Sequence, residues 1–136
     1  NSVMYNLCGV GQKCSIAEGQ PSEARARLLR REALELALYT FKYVDDIDSV
    51  SVFLPPRPDG QAAPNSVFLR RSDVRSLLQK PLDTSIAPRT PTVGTMPQRE
   101  IDLVDRVTLP RLYTFDVQRA QDGSAVLVYD PVVLGA

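Results

Sequence analysis

The sequence predicts an α+β fold: an antiparallel sheet of about four strands, one long N-terminal helix packed on it, and two short helices. Three observations predict it. The run from Ser22 to Val44 carries apolar residues at helical spacing. Ser49–Leu54 and Ser66–Arg70 alternate with the period of strands. Arg111–Gln118 and Ser124–Asp130 form a hairpin pattern around the turn pair Asp122-Gly123.

Taken in order, residues 1–20 are Gly-rich and aperiodic, which predicts a tethered N-terminal loop ahead of a single domain over 21–136. Pro21 suits a first helical turn, where its missing N–H costs nothing. In the helix, Ala26, Leu29, Ala33, Leu36, Ala37, Thr40 and Val44 share one face. Leu34, Leu38 and Phe41 widen that face in the second half, whereas Arg27, Arg30 and Arg31 occupy the corresponding side of the first half. The expectation is a C-terminal half buried on most sides and an N-terminal half directed to solvent. In the first strand Val50, Val52 and Leu54 alternate with Ser49, Ser51 and Phe53. The Pro55–Gly60 run ends it in a loop. Ser72 is placed to cap a short helix through Gln79, with Val74, Leu77 and Leu78 inward. Residues 81–97 hold four prolines and read as a long loop. Thr95 and Gln98 fit a capping box for a helix near Met96–Val107. In the hairpin, Tyr113, Phe115 and Val117 fall on one face.

Composition excludes several function classes. The 136 residues carry 16 basic and 16 acidic side chains, so no cationic excess faces a nucleic acid. There is no His, which removes Ser-His-Asp and Cys-His nucleophiles, imidazole metal sites and a His proton switch. Gly9-Val10-Gly11 lacks the third glycine and preceding strand of a dinucleotide fingerprint. No Gly-x-Ser-x-Gly, Walker loop or Ser-x-x-Lys occurs. Tyr39, Phe41 and Tyr43 diverge around a helix, so they are core and rim rather than a stacking platform. No catalytic residue and no cofactor is assigned.

Cys8 and Cys14 frame Cys8-Gly-Val-Gly-Gln-Lys-Cys14, a segment flexible enough to close on itself. The spacing favours a structural disulfide clip over two unpaired thiols or a redox pair, which takes Cys-x-x-Cys. A clip implies an oxidising compartment. Asp45, Asp46 and Asp48 are weak candidates for a hard-cation site or an acid–base pair. They also sit between a helix and a strand, where Asp is ordinary turn chemistry. Arg25, Arg27, Arg30 and Arg31 form the densest basic cluster, but Glu23, Glu32 and Glu35 are interleaved, which predicts a solvated face with intrahelical ion pairs. Arg70-Arg71 beside Asp73 is likewise expected at the surface.

Two segments, Arg31-Glu-Ala-Leu-Glu-Leu-Ala-Leu-Tyr-Thr-Phe-Lys-Tyr-Val-Asp-Asp46 and Ser49-Val-Ser-Val-Phe-Leu-Pro-Pro56, resemble stretches of uncharacterised actinobacterial membrane-anchored proteins. The resemblance extends more loosely to Phe68-Leu-Arg-Arg-Ser-Asp-Val-Arg75. Thirteen Arg against three Lys suits a GC-rich genome. The resemblance implies a domain displayed outside the membrane, reached from an anchor N-terminal to Cys8, and marks no residue as catalytic. The chain opens on Asn1-Ser2-Val3 without Met, and an anchor or signal is expected upstream.

The leading functional expectation is a non-enzymatic, extracytoplasmic interaction module of the cell envelope, whose partner is another envelope protein rather than nucleic acid. The alternative is a ligand-sensing domain with a small-molecule pocket. A third is an enzyme built on carboxylates or on the two cysteines. An exposed apolar patch or unpaired sheet edge marks the first, a closed apolar pocket the second, and facing charged groups in a cleft the third.

Overall fold

The computed structural model describes residues 1–8, 22–55 and 65–132. Among these residues five strands form one mixed sheet in the order β1-β2-β3-β4-β5. They are β1 (Ser2–Asn6), β2 (Ser49–Phe53), β3 (Asn65–Arg70), β4 (Leu112–Arg119) and β5 (Ala125–Pro131). The helices are α1 (Glu23–Tyr43), α2 (Arg75–Leu78) and α3 (Gln98–Thr108). The class is α+β with one long helix, as the sequence predicts; the strand count and the purely antiparallel pairing are corrected. Ser2–Asn6, expected within a loop over 1–20, pairs parallel with β2 in the register Val3↔Val50 and Tyr5↔Val52. A parallel neighbour requires a crossover, and α1 supplies it. With only Val3 and Tyr5 turned toward the helices, β1 is too short to announce itself by periodicity.

Why these elements hold together follows from the strand alternation. Val50, Val52, Val67 and Leu69 are fully buried on the helix side of β2 and β3. They meet Leu34, Ala37, Leu38 and Phe41 of α1 and Leu103, Val104 and Val107 of α3 in one core. Tyr5 Oη lies 2.7 Å from Thr40 Oγ1, which ties β1 to the same helix. The loop over 81–97 is fastened to this core by buried Leu82 and Ile86.

Local chemistry sets the boundaries. Ser22 Oγ accepts the Arg25 N–H at 3.1 Å and caps α1. At the other end the chain turns at Asp46, whose φ of 68° is left-handed, a conformation Asp tolerates better than most residues. The carbonyls there are collected by Arg71, expected at the surface. Its guanidinium donates to Phe41 O at 2.6 Å, Val44 O at 3.2 Å and Ile47 O at 2.8 Å, and lies 5.1 Å from the Phe41 ring centroid. A cation at a helix C-terminus is favoured by the macrodipole as well as by these bonds. The segment after β3 starts with a 3-10 turn, Arg71–Val74, before α2; Asp73, not Ser72, caps it by accepting the Arg70 N–H at 2.8 Å. Thr95 bonds Thr92 rather than forming a capping box, and Pro97 precedes α3. Gly123, at φ 87°, makes the hairpin turn, and Asp122 Oδ1 accepts the Ser124 N–H at 2.9 Å.

Candidate functional site

Two places collect chemistry: the charged seam between α1 and α3, and the face of the sheet turned away from the helices.

The seam overturns the solvated-face expectation for the Arg cluster. Arg25, Arg30 and Arg31 are buried, and the N-terminal half of α1 is covered rather than directed to solvent. The partners lie far along the chain. Arg31 Nε donates to Glu100 Oε1 at 2.6 Å, Nη1 to Glu35 Oε2 at 3.2 Å and Nη2 to Ala87 O at 2.8 Å. Arg30 Nη1 donates to Asp105 Oδ1 at 3.0 Å and Thr108 Oγ1 at 2.9 Å. Arg27 Nε donates to both Asp105 oxygens, at 3.1 and 3.2 Å. Only the Arg31–Glu35 contact is intrahelical in the way expected.

Electrostatics follow burial and pairing. Partial burial of Asp105 favours its neutral form, but the bonds from Arg27 and Arg30 outweigh this and hold the carboxyl below its ordinary value. Glu35 behaves oppositely: burial pushes its carboxyl above the ordinary 4.5 and Glu32 adds to the rise, with Arg31 pulling only part of the way back. A raised carboxyl value means that the fold favours the neutral form, so Glu35 supplies stability below 4.5 that is lost as pH rises through its folded value. Glu35→Gln removes that loss. Its urea midpoint is expected above the parent's at pH 7, with the gap closing as pH falls toward 4.5. A gap that stays constant with pH contradicts this account.

A groove of about 370 Å³ borders the seam, lined by Arg89, Thr90, Thr92 and Thr95 with Glu100 beside them. Facing charges therefore do occur next to a cleft, but Glu100 already accepts from Arg31, and Arg31 is committed to Glu100, Glu35 and backbone carbonyls. Arg25 Nε and Nη2, Glu32 Oε2 and Ser66 Oγ are buried without a hydrogen-bond partner. A second groove of about 220 Å³ lies at Asp73, Ser76, Arg106 and Arg111. There Arg111 Nε is 3.3 Å from Asp73.

The acidic candidates do not converge. Asp45 and Asp46 are exposed in the turn after α1, and Asp48 Oδ2 accepts from the Asn1 nitrogen at 2.8 Å. Among the described residues no three His, Cys, Asp or Glu groups are arranged to hold a metal ion. Cys8 is exposed just past β1, and Cys14 lies outside the described residues, as do Gly9, Val10 and Gly11. Among the described residues no helix is long and apolar enough to cross a membrane.

The remaining surface is the open sheet face. Strand registers place Phe53, Phe68, Tyr113, Phe115 and Tyr129 on it together, opposite the helix-facing valines. The rings touch as a connected set: Phe53–Phe115 centroids at 4.7 Å, Phe68–Tyr129 and Tyr113–Tyr129 at 5.6 Å, and Phe68–Tyr113 at 6.3 Å. Tyr129 Oη donates to Ser51 Oγ at 2.7 Å and Arg70 lies 5.7 Å from the Phe68 centroid. Met4 and Val117 flank the set at 64% and 62% exposure. The only charges on this face of the strands are Arg70 and Arg119, and it carries no carboxylate. The sequence discloses part of it, in the Tyr113-x-Phe115-x-Val117 alternation; Phe53 and Phe68 join only when the strand order is known.

No family model, curated protein or solved structure matches this chain.

Proposed function

We propose that this chain is a non-enzymatic, extracytoplasmic contact module of a membrane-anchored cell-envelope protein, docking another envelope protein on its open sheet face. One observation carries the reading: a connected aromatic face, flanked by exposed Met4 and Val117, on the side of the sheet that the helices leave open. Aromatic, Met and Arg side chains without carboxylates are the composition that interface centres favour. The seam supports the same reading from the other side, because Arg27, Arg30 and Arg31 commit their bonds to holding α1, α3 and the loop at Ala87 together. The envelope location rests on the Cys8/Cys14 spacing and on the resemblance of the α1–β2 segment.

A photo-crosslinking residue at Val117 or Met4 of the full-length protein in its native cells is expected to form a discrete protein adduct. The same residue at Ala26 or Asp102, both exposed on helices, is expected to give none. Adducts from the helix positions alone contradict the reading.

A further inference from the structure

We infer that β5 is a homodimerisation edge: two copies of this chain join their sheets through antiparallel β5–β5 pairing centred on Leu127. The phase of the β4–β5 ladder fixes which backbone groups are available. Val132 N donates to Leu112 O at 3.0 Å and Ala120 N to Ser124 O at 2.8 Å, so the two ends of the ladder are bonded pairs of even-numbered residues. Bonded and non-bonded pairs alternate across an antiparallel ladder. Val126, Val128 and Asp130 therefore bond to β4, and Ala125, Leu127 and Tyr129 turn N–H and C=O away from it. Among the described residues no strand takes that outer side of β5.

Such edges are ordinarily blunted by charged side chains or by Pro, and β5 carries these only at its end, in Asp130 and Pro131. Here the central residues Ala125–Tyr129 carry no charge, and Val126 is 43% exposed. Among the described residues the pairing of β3 with β4 ends at Asn65↔Thr114, and no third strand lies beside the ribbon from Phe115 to Tyr129. Two strands alone are marginal in water, and a second copy makes them four.

The strand is complementary to itself in one register. A two-fold axis through Leu127, normal to the sheet, sets Leu127 against Leu127 of the second copy and Ala125 against its Tyr129. Every outward N–H and C=O of these residues then finds a partner. Val126 meets Val128 of the second copy on the helix side, and Asp130 meets Ser124, so no like charges face each other. Pro131, whose missing N–H also points outward, falls opposite Gly123 at the turn and costs nothing. Centring on Val128 instead sets Pro131 against Ala125 and loses donors; centring on Val126 leaves the Tyr129 groups unpaired against a turn. An axis normal to the sheet keeps both open faces on one side, so the pairing is closed and isologous.

Sedimentation equilibrium on the whole chain tests this. The parent is expected to dimerise reversibly. Leu127→Pro removes an N–H that the monomer's ladder does not use and is expected to raise the dimer dissociation constant by at least about tenfold with an unchanged circular dichroism spectrum. Val126→Lys, at an exposed position, is expected to do the same and stands alone should the proline variant not fold. A parent that stays monomeric at about 1 mM, or a dimer undiminished in the folded variants, overturns the pairing. So does a dimer lost in Phe115→Ala and kept in Leu127→Pro, which is face-to-face stacking. The crosslinking from Val117 and Met4 is read in the membrane against a different protein, so it can succeed or fail independently.

Discussion

Replacing Arg31 with Ala lowers folding stability by about 3–5 kcal/mol, the loss typical of a broken buried ion pair. Arg31 is fully buried and Glu100 is 2% exposed. Removing the guanidinium leaves the Glu100 carboxylate without its 2.6 Å partner and strips the Ala87 carbonyl of its 2.8 Å donor. The cost is chiefly that of an uncompensated charge, not of the lost attraction, and this makes the claim testable. Arg31→Met combined with Glu100→Leu removes both charges, fills similar volume and is expected to recover most of the loss. Urea titration of the two variants and the parent decides it. A double variant as unstable as Arg31→Ala means that the pair is worth its own attraction.

Phe41→Ala is the second large effect, about 3–5 kcal/mol by the cavity arithmetic for a buried ring. Phe41 is 2% exposed in the main core, and it has a second tie through Arg71. The guanidinium lies 5.1 Å from the ring centroid and donates to the Phe41 carbonyl at 2.6 Å. Arg71→Ala alone is expected to cost about 1.5–3 kcal/mol, the range for hydrogen bonds to a charged group. Because the residues touch, the double variant should lose less than the two single losses combined. Strict additivity in that cycle means that the ring and the cation do not stabilise one another.

Why some features are readable in the sequence and others are not comes down to the range of the forces involved. The α1 stripe, β2, β3 and the β4–β5 hairpin are set by local periodicity and turn chemistry, and they form close to their expected positions. β1 has two inward residues and gains its identity only from β2, which lies beyond the whole of α1. The Arg cluster is a sharper case. Interleaved glutamates suggest local pairing, whereas Asp105 and Glu100 sit 69 to 78 residues away and win because α3 packs against α1. Arg71 is invisible for the same reason: nothing near it in the chain discloses that Phe41, Val44 and Ile47 will offer it carbonyls. Of the candidate surface, Tyr113 and Phe115 are legible, and the contribution of Phe53 and Phe68 waits on the order of the strands.

The two arginine fastenings differ in what they grip, and acid separates them. Asp105 is held in its charged form by Arg27 and Arg30, so the stability it contributes is present above the ordinary carboxyl range and is lost as pH falls through its depressed folded value. Arg71 grips neutral carbonyl oxygens, which bind no proton at these pH values. Acidification therefore loosens the molecule directionally. The Asp105 clasp between α1 and α3 gives way, while the Arg71 bonds keep the C-terminal turn of α1 buttoned to the end of β3.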